Sequence, residues 1–356
     1  MKFRIWMLST AVCLFAALAI TVQTSAQITT FNVTGAGTGS GEGTTPAYIN
    51  VWGSIAGYYI DSSGVSHGFL RAPNGTITSF DPTGSIFTTA YSLNLEGSIA
   101  GYYLDSTLYQ FHGLLRAPDG TFTTFDPEGS TGTFAGNIND FGAIAGFYAD
   151  SSGAYHGFVR APNGTITSFD PMGSEGTFTA TSYGLNDAGA ICGAYADPRG
   201  VYHGFVRAGN GTITTFHAKD AGTNSGQGTF SGGINNFGVI AGVYTDSGGV
   251  MHGFVRAADG DITPFDVTGA GTGSGQGTSA NSINDLGVIA GDYIDSSGVY
   301  HSFVRASDGT ITKFNVKGAG NGSGQGTVAD SNNLEGASAG FYIDSNGVYH
   351  GFVWSE

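Results

Sequence analysis

The chain has 356 residues, of which 61 are glycine, 13% are aromatic and only 11% are charged. Its 27 acidic residues outnumber 12 basic ones, for a formal net charge of −15, and this excludes the basic surface that a nucleic acid or an anionic membrane requires of its partner. Abundant glycine and aromatic residues, without a sustained helical period, predict an all-β fold of short strands and tight turns.

The first 26 residues are predicted to be a signal peptide. Lys2 and Arg4 precede an apolar run over 5–22, and the small residues Thr-Ser-Ala follow at 24–26. This order is typical of a secretory signal and its cleavage site. A retained membrane anchor is the alternative, because the apolar run is almost long enough to span a bilayer. Cleavage predicts a secreted or periplasmic protein over 27–356, with no membrane insertion.

A repeat of 44 to 49 residues fills the rest of the chain. Three residue types recur in all seven copies. Histidine occurs at His67, His112, His156, His203, His252, His301 and His350. Tyrosine occurs at Tyr59, Tyr103, Tyr148, Tyr195, Tyr244, Tyr293 and Tyr342, and an aspartate follows two residues after each. Repeats of this length are typical of propeller blades with four strands each.

Each copy divides into four strands, called a to d from the centre outward. In the copy over 278–315, TSANSIN is strand a, GVIAGDYI is b, VYHSFVRA is c and TITKFN is d. Asn-x-x-Gly, Asp-Ser-Ser-Gly-type and Asn-Gly or Asp-Gly segments join them, and these residues tolerate the positive φ of tight hairpins. The predicted blades cover 44–82, 88–127, 133–171, 177–217, 228–266, 277–315 and 326–354 plus 27–32.

The two ends of the repeat region predict how the ring closes. The last copy stops after strand c at HGFVWSE, and the segment that begins ITTFNVTGAGTGSGEGT matches ITKFNVKGAGNGSGQGT at 311–327, which is a strand d with its loop. The missing outer strand therefore lies at the other end of the chain. This predicts an all-β fold with a single seven-bladed β-propeller, four antiparallel strands per blade, and residues 28–32 closing the last blade.

The b–c turn sets the expected pairing of these two strands. Counting from the turn at 61–64, we expect Tyr59 opposite Ser66, and Tyr58 opposite His67. Gly57 is expected opposite Gly68, where the missing side chains leave room for a neighbouring ring.

The repeated residues resemble a known family. Ile-Ala-Gly-x-Tyr-x-Asp, His-Gly-Phe and Gly-Thr-Ile-Thr-x-Phe are similar to the bacterial extracellular HAF repeat, named after its His-Ala-Phe tripeptide, over essentially all of 27–356. This chain departs from the name by carrying glycine, or Ser302, in place of the alanine. The resemblance implies an exported repeat protein and supplies no catalytic residues.

Alternate turns of a blade lie at opposite ends, so b–c and d–a loops share one face and a–b and c–d turns share the other. The first face is predicted to form an acidic rim that binds ligand through Asp61, Asp105, Asp150, Asp197, Asp246, Asp295 and Asp344. The simpler interpretation is that each aspartate accepts N–H groups of its own turn. The second face receives an arginine near the end of strand c in six copies, which predicts two electrostatically different faces.

The repeated residues argue against metal and catalytic roles. Calcium takes about six to eight oxygen ligands, whereas each turn offers one carboxylate, so neither a metal nor another cofactor is predicted. Equivalent histidines around a ring cannot converge on one substrate, and we expect each to tie its blade together by hydrogen bonds. Cys192 replaces an alanine of the other copies, which predicts an inert core residue without a disulfide partner.

We accordingly expect folding to need no divalent metal. Addition of EDTA should leave the melting temperature unchanged, because each turn carries one carboxylate and not a ligand cluster. A large fall in melting temperature on addition of EDTA would contradict this expectation.

Strand a is expected to line the central channel with Ala47, Tyr91, Gly136, Tyr183, Gly232, Asn281 and Asp330. Asp330 is the one strong acid in this column and no histidine accompanies it, whereas acid–base catalysis needs a proton donor and an acceptor and glycoside hydrolysis usually needs two carboxylates. No catalytic residue is therefore predicted. Tyr91 and Tyr183 either stack on a sugar ligand or fill the channel.

Two functions remain open at this point. The first is a secreted, non-enzymatic binding, adhesion or scaffold protein, monomeric, whose partner is a polysaccharide or another protein. The second is a propeller enzyme, a lyase or hydrolase of extracellular polysaccharide or lactone, with its site at the channel mouth. Differing ionisable groups at that mouth would favour the enzyme, and equivalent pockets between blades would favour the binding protein.

Overall fold

The computed structural model describes residues 26–180 and 183–355. Within these residues the chain forms 28 β-strands and no helix, and thus no helix that could cross a membrane. The predicted signal segment falls almost entirely on 1–25, outside the described residues.

The strands fall into seven groups of four, with strand a innermost and strand d outermost. The a strands are β2 (Gly43–Ile49), β6 (Ser85–Leu93), β10 (Ser130–Ile138), β14 (Gly176–Thr179), β18 (Gly228–Ile234), β22 (Gly277–Ile283) and β26 (Gly326–Asn332). The b strands are β3 (Ile55–Ile60), β7 (Ile99–Asp105), β11 (Ile144–Asp150), β15 (Ile191–Ala196), β19 (Ile240–Thr245), β23 (Ile289–Ile294) and β27 (Ala337–Ile343).

The outer strands complete each group. The c strands are β4 (Ser66–Arg71), β8 (Phe111–Arg116), β12 (Tyr155–Arg160), β16 (Tyr202–Arg207), β20 (Met251–Arg256), β24 (Tyr300–Arg305) and β28 (Tyr349–Ser355). The d strands are β5 (Ile77–Phe80), β9 (Phe122–Phe125), β13 (Ile166–Phe169), β17 (Ile213–Phe216), β21 (Ile262–Phe265), β25 (Ile311–Phe314) and, for the last blade, β1 (Gln27–Phe31). Neighbouring strands within a blade are antiparallel. We call the face of the b–c and d–a loops the upper face and the other the lower face.

The N-terminal strand closes the ring as predicted. β1 pairs antiparallel with β28, from Gln27 opposite Ser355 to Phe31 opposite Gly351. His350 Nδ1 adds a contact of 3.0 Å to Asn32 Oδ1. The last blade is thus built from both ends of the described chain.

A closed ring of asparagine side chains joins all seven blades on the lower face. In each a–b turn the Asn Nδ2 group donates to the backbone carbonyl of the matching asparagine in the next blade, at 2.8 to 3.4 Å, and Asn333 returns the ring to Asn50. The Oδ1 atom accepts the N–H four residues later in its own turn. The ring consists of Asn50, Asn94, Asn139, Asn186, Asn235, Asn284 and Asn333. The invariant Asn-x-x-Gly motif therefore fixes both the turn and the blade-to-blade contact.

Breaking this ring should cost considerable stability. Asn235 is 5% exposed, and Asn235→Ala removes the side-chain donor to the Asn284 carbonyl and leaves the Val239 N–H without its acceptor. We expect a loss of about 2–3 kcal/mol in the free energy of unfolding, measured by urea denaturation. The control is Asn74→Ala in an exposed c–d turn, where the lost bond to the Thr76 N–H is open to solvent and the loss should stay below about 1 kcal/mol. Equal effects of the two substitutions would contradict a special role of the ring.

Aromatic rings and arginines connect the outer parts of the blades. The strand c phenylalanine, such as Phe69 with no exposed surface, meets the edge of the strand d phenylalanine of the preceding blade, with ring centroids 6.2 Å apart for Phe31 and Phe69. Six arginines lie over those same strand d rings at 4.8 to 5.1 Å. Trp354 takes the seventh position and stacks on Phe314.

The arginines predicted for the lower face do not form an exposed basic surface there. The guanidinium groups are committed to rings between blades, and Arg116, Arg160 and Arg256 are buried. Burial lowers the pKa of Arg160, and the exposed lower-face turns carry acidic side chains instead. The inter-blade contact is a cation–π interaction, where a hydrogen bond was the expected alternative.

The predicted b–c register is wrong by one residue. Asp61 pairs with Val65 through its N–H group, and Gly64 N–H closes the turn on the Asp61 carbonyl. Because this turn contains three residues, Tyr59 lies opposite His67 and Gly57 opposite Phe69. Gly68 still leaves room for an aromatic ring, as expected, but the ring is that of Phe80 in the same blade. A Cβ on Gly68 would lie 2.5 Å from that ring.

Candidate functional site in the central channel

Half-exposed aromatic side chains surround the channel at the upper ends of strands a, b and c. They contact one another from blade to blade, with ring centroids 4.4 to 6.3 Å apart. The series over blades 2 to 5 consists of Phe87, Phe111, Tyr102, Phe134, Phe147, Tyr155, Phe178, Tyr202 and Phe230. The upper ends of blades 2 to 5 therefore carry a continuous series of half-buried aromatic rings that meet mostly edge-to-face or at a tilt.

β-bulges direct particular side chains into the channel. In six blades strand a skips one residue in its pairing with strand b, and the skipped residues are Ala47, Tyr91, Gly136, Gly232, Asn281 and Asp330. A bulge turns the unpaired residue away from the regular ladder. Five of these six line one cavity, so the local irregularity of strand a positions the site.

The cavity occupies the upper part of the channel and has a volume of about 450 Å³. Its walls include Tyr58, Tyr91 and Phe341 together with Asn281 and two carboxyl groups, those of Asp292 and Asp330. No lysine, arginine or histidine is among the described residues that line it. The site is therefore acidic, aromatic and rich in hydrogen-bonding groups.

Tyr183 lies across the channel, outside the lining of this cavity. Its ring comes from blade 4, stacks on Tyr48 of blade 1 at 4.5 Å, and its hydroxyl donates toward the carbonyls of Ile49 and Asn332 on the far side of the channel. Burial raises the pKa of Tyr183 well above its ordinary value. Of the two predicted channel tyrosines, Tyr183 divides the channel into an upper and a lower part, and Tyr91 lines the upper cavity.

Asp292 and Asp330 are the distinctive chemical groups of the cavity. Asn281 Nδ2 donates to Asp292 Oδ1 at 2.8 Å and to the carbonyl of Ala329 at 3.0 Å, while Ser279 Oγ donates to Asn281 Oδ1. Burial raises the pKa of Asp292 to about 6. Burial, followed by the charge of Asp292, raises the pKa of Asp330 well above its usual range. Burial thus favours the neutral form of both carboxyl groups.

Sequence reasoning missed Asp292, and with it the pair of carboxyl groups. A detectable signal existed. Asp292 stands at the fourth position of strand b, where the other six copies carry Tyr58, Tyr102, Phe147, Ala194, Val243 and Phe341. One charged residue in an otherwise apolar column marks a break in the sevenfold symmetry.

The predicted rim aspartates lie in the b–c turns of the upper face, engaged in local contacts. Asp61 Oδ1 accepts the N–H groups of Ser63 and Val65, and these bonds, that of Val65 first, lower its pKa. The second oxygen, Oδ2, lies 3.4 Å from His67 Nε2. The other b–c turns repeat the backbone bonds to Asp105, Asp150, Asp197, Asp246, Asp295 and Asp344.

In six blades the strand c histidine contacts an Asp or Asn side chain beyond strand d, and in blade 4 His217 takes the place of that partner. His67 Nδ1 lies 2.7 Å from Asp81 Oδ2 beyond strand d, and its ring stacks on Tyr59. Burial alone lowers the pKa of His67, but the two aspartates outweigh it and raise the pKa above its ordinary value. Within the described residues no group of three or more His, Cys, Asp or Glu has the arrangement of a metal site. Cys192 is fully buried, which raises the pKa of its thiol to about 12.

Fold and site together define a β-propeller with an asymmetric central cavity. No family model and no curated protein matches the sequence. Among solved structures, the chain is similar to virginiamycin B lyase from Staphylococcus aureus, with 11% identity over 93% of this chain and 100% of that one, at a TM-score of 0.56. It is also similar to the BP39L lectin from Burkholderia pseudomallei, with 12% identity over 88% and 96% at 0.57. A third is the β-propeller domain of the Trilobed protease from Pyrococcus furiosus, with 6% identity over 87% and 95% at 0.57. At these identities the likeness establishes the fold alone.

Proposed function

We propose that the protein is a secreted, monomeric, carbohydrate-binding β-propeller that takes a neutral sugar unit into the upper cavity. The observation that carries this proposal is the cavity itself, where buried carboxyl groups that break the sevenfold symmetry face aromatic walls. Small-ligand sites typically combine apolar and aromatic walls with a few well-placed polar groups.

The polar groups of the cavity suit hydroxyl groups. A protonated Asp330 donates a hydrogen bond, Asp292 accepts one, and the Tyr58 and Tyr91 hydroxyls can do either. The rings present flat faces for the apolar side of a sugar. No cationic side chain is among the described residues that line the cavity. An anionic ligand would therefore place a second negative charge beside Asp292 with no positive charge to offset it.

The upper face offers a path for a longer polymer. The aromatic rings continue from Tyr91 in the cavity through Tyr102 across blades 2 to 5, and the side chains of the rim aspartates are partly exposed. In this proposal a polysaccharide places one unit in the cavity and leaves along the upper face. Secretion rests on the predicted signal segment.

A second candidate function rests on the two carboxyl groups. Carboxyl groups whose environments hold their pKa values apart are suited to act as acid and base, and glycoside hydrolysis uses such a pair. Asp330 would supply the proton and Asp292 the base in a hydrolase or lyase acting on an extracellular polysaccharide or lactone.

A glycan array probed with the labelled protein from Gln27 onward tests the binding proposal. We expect binding to neutral glycans that falls at least about tenfold in Tyr91→Ala and in Asp330→Asn, since each removes a direct contact. Phe237→Ala is the matched control, because Phe237 is exposed in an a–b turn of the lower face, away from the cavity and from the upper face. Binding that is insensitive to the cavity variants would overturn the proposal, and cleavage of a bound glycan, followed by mass spectrometry, would favour the second candidate.

A further inference from the structure

The lower face presents large apolar side chains to solvent around the channel mouth. They occupy the two middle positions of the Asn-x-x-Gly turns, where the turn itself sets no apolar requirement. The exposed fractions are 65% for Trp52, 42% for Leu95, 71% for Phe141, 69% for Phe237, 61% for Leu286 and 42% for Leu334. We call these six residues the apolar collar. Contiguous exposed apolar surface is typical of an interaction site.

Inside the collar lies an arc of carboxylates. Asp140, Asp187 and Asp285 occupy the first middle position of their turns, with Asn236 at the same place in blade 5. Each accepts a backbone N–H from the neighbouring turn, at 2.8 to 3.0 Å. Among the described residues no lysine or arginine forms a salt bridge with any of the three. Burial, together with the charges of the other two, raises the pKa of Asp140.

The arc lines a small cavity of about 170 Å³ together with Leu95 and Leu334 of the collar and the Tyr48 and Tyr183 rings. This is the liquid volume of about six water molecules, which leaves room for one long side chain. On the side of the mouth away from the carboxylates the inner positions are apolar, namely Val51, Leu95 and Leu334. An entering side chain would thus meet aliphatic surface on one side and negative charge on the other.

We propose that the apolar collar binds a basic protein segment in which a lysine or arginine, flanked by apolar side chains, enters this lower mouth of the channel. Lysine and arginine carry an aliphatic stem and a charged head, which matches the two halves of the mouth. The flanking apolar side chains cover Trp52, Phe141 and Phe237. Charge complementarity of this kind sets both partner choice and association rate.

The charge of the face selects among possible occupants. A second copy of the chain would bring Asp140, Asp187 and Asp285, with Glu96 and Glu335 beside them, against the same five acids. An anionic membrane is repelled in the same way. The site lies on the opposite face from the proposed sugar cavity, with Tyr183 between them, so the two proposals fail independently.

Selection from a phage-displayed library of random 12-residue peptides against the protein from Gln27 onward tests the inference. We expect enrichment of peptides in which lysine or arginine adjoins leucine, phenylalanine or tryptophan. A synthetic copy of the best peptide should shift the fluorescence of exposed Trp52 and bind more weakly as salt is raised. Trp354 is buried and far less sensitive to a surface ligand.

Two triple variants separate charge at this site from overall charge. Asp140→Asn, Asp187→Asn and Asp285→Asn together retain the oxygen acceptors, as Asn236 does in blade 5, and should weaken peptide binding at least about tenfold. Glu128→Gln, Glu175→Gln and Asp220→Asn make the same charge change in exposed loops of the upper face and should leave binding unchanged. Matching thermal unfolding of the two variants shows that both are folded.

Four results would overturn the inference. Enrichment of peptides without basic residues would show that the partner is not cationic. Equal binding of the peptide to both triple variants would show the same. If light scattering shows a dimer, and the double variant Phe141→Ser with Phe237→Ser is monomeric, the collar binds a second copy of the chain. Binding to phosphatidylcholine vesicles that requires the collar would make it a lipid surface.

Discussion

Deletion of residues 27–33 from the protein that begins at Gln27 is expected to destabilise the whole ring. The deletion removes the five-residue pairing of β1 with β28, whose hydrogen bonds contribute about 1 kcal/mol each. It also removes Phe31, which meets Phe69 and lies under Arg71 of the first blade, for about 1–2 kcal/mol more. Against a typical total of about 5–15 kcal/mol, the loss is a large fraction, and the exposed edge of β28 promotes aggregation.

A circular permutant is the control for this deletion. It begins at Thr44 and carries residues 27–43 after Glu356, joined by an added Asn-Gly so that the new turn matches the c–d turn at 73–75. Urea denaturation should show the permutant close to the parent and the deletion far below both. Equal stability of the deletion and the parent would mean that β1 does not hold the ring closed.

The second large effect concerns the carboxyl groups of the central cavity and the pH dependence of stability. The pKa of Asp292 is about 6 in the folded protein, against 3.8 for the ordinary group. As pH rises, the unfolded chain ionises first, so the folded state loses relative stability between about pH 4 and 6 and stays lower above that range. The shift corresponds to about 3 kcal/mol at neutral pH. Asp330 contributes in the same direction.

Asp292→Asn should therefore stabilise the protein at pH 8, by up to about 3 kcal/mol, and have little effect near pH 4. Asparagine at 292 can still accept the Asn281 hydrogen bond. The comparison is Asp61→Asn, whose pKa is lowered by bonds from its turn. Its contribution is present at neutral pH and fades as pH falls through the folded pKa, so this substitution should destabilise at pH 8. Unfolding curves of both variants across pH 2–8 measure the two trends, and an effect of Asp292→Asn that is constant between pH 4 and 8 would refute the assignment.

Much of the fold was predictable because each element carries its own local signal. The seven-copy repeat, the Asn-x-x-Gly turns and the match of the N-terminal segment to a strand d led to the closure by β1, which the pairing of Gln27 with Ser355 confirms. The b–c register was less predictable. It depended on whether the Asp61 turn holds two or three residues, a difference that composition does not reveal and that reverses which side chains share a face.

The candidate site was harder to predict, because its residues come from different blades. Asp330 was identified in strand a, but its neighbour Asp292 belongs to strand b of the preceding blade, and a bulge at Asn281 brings the two to one wall. The apolar collar was missed for a similar reason. Trp52, Phe141 and Phe237 look unrelated along the chain and become one surface only when the ring closes.

The sequence by itself determined the strand order, the number of copies and the turns, since these depend on short-range periodicity and on residues that tolerate particular backbone angles. Only the tertiary structure decided which residues meet in the channel, how the arginines pack over phenylalanine rings, and which faces carry charge. These properties depend on burial and on contacts between blades. Such contacts join residues that are far apart along the chain, so local sequence patterns do not reveal them.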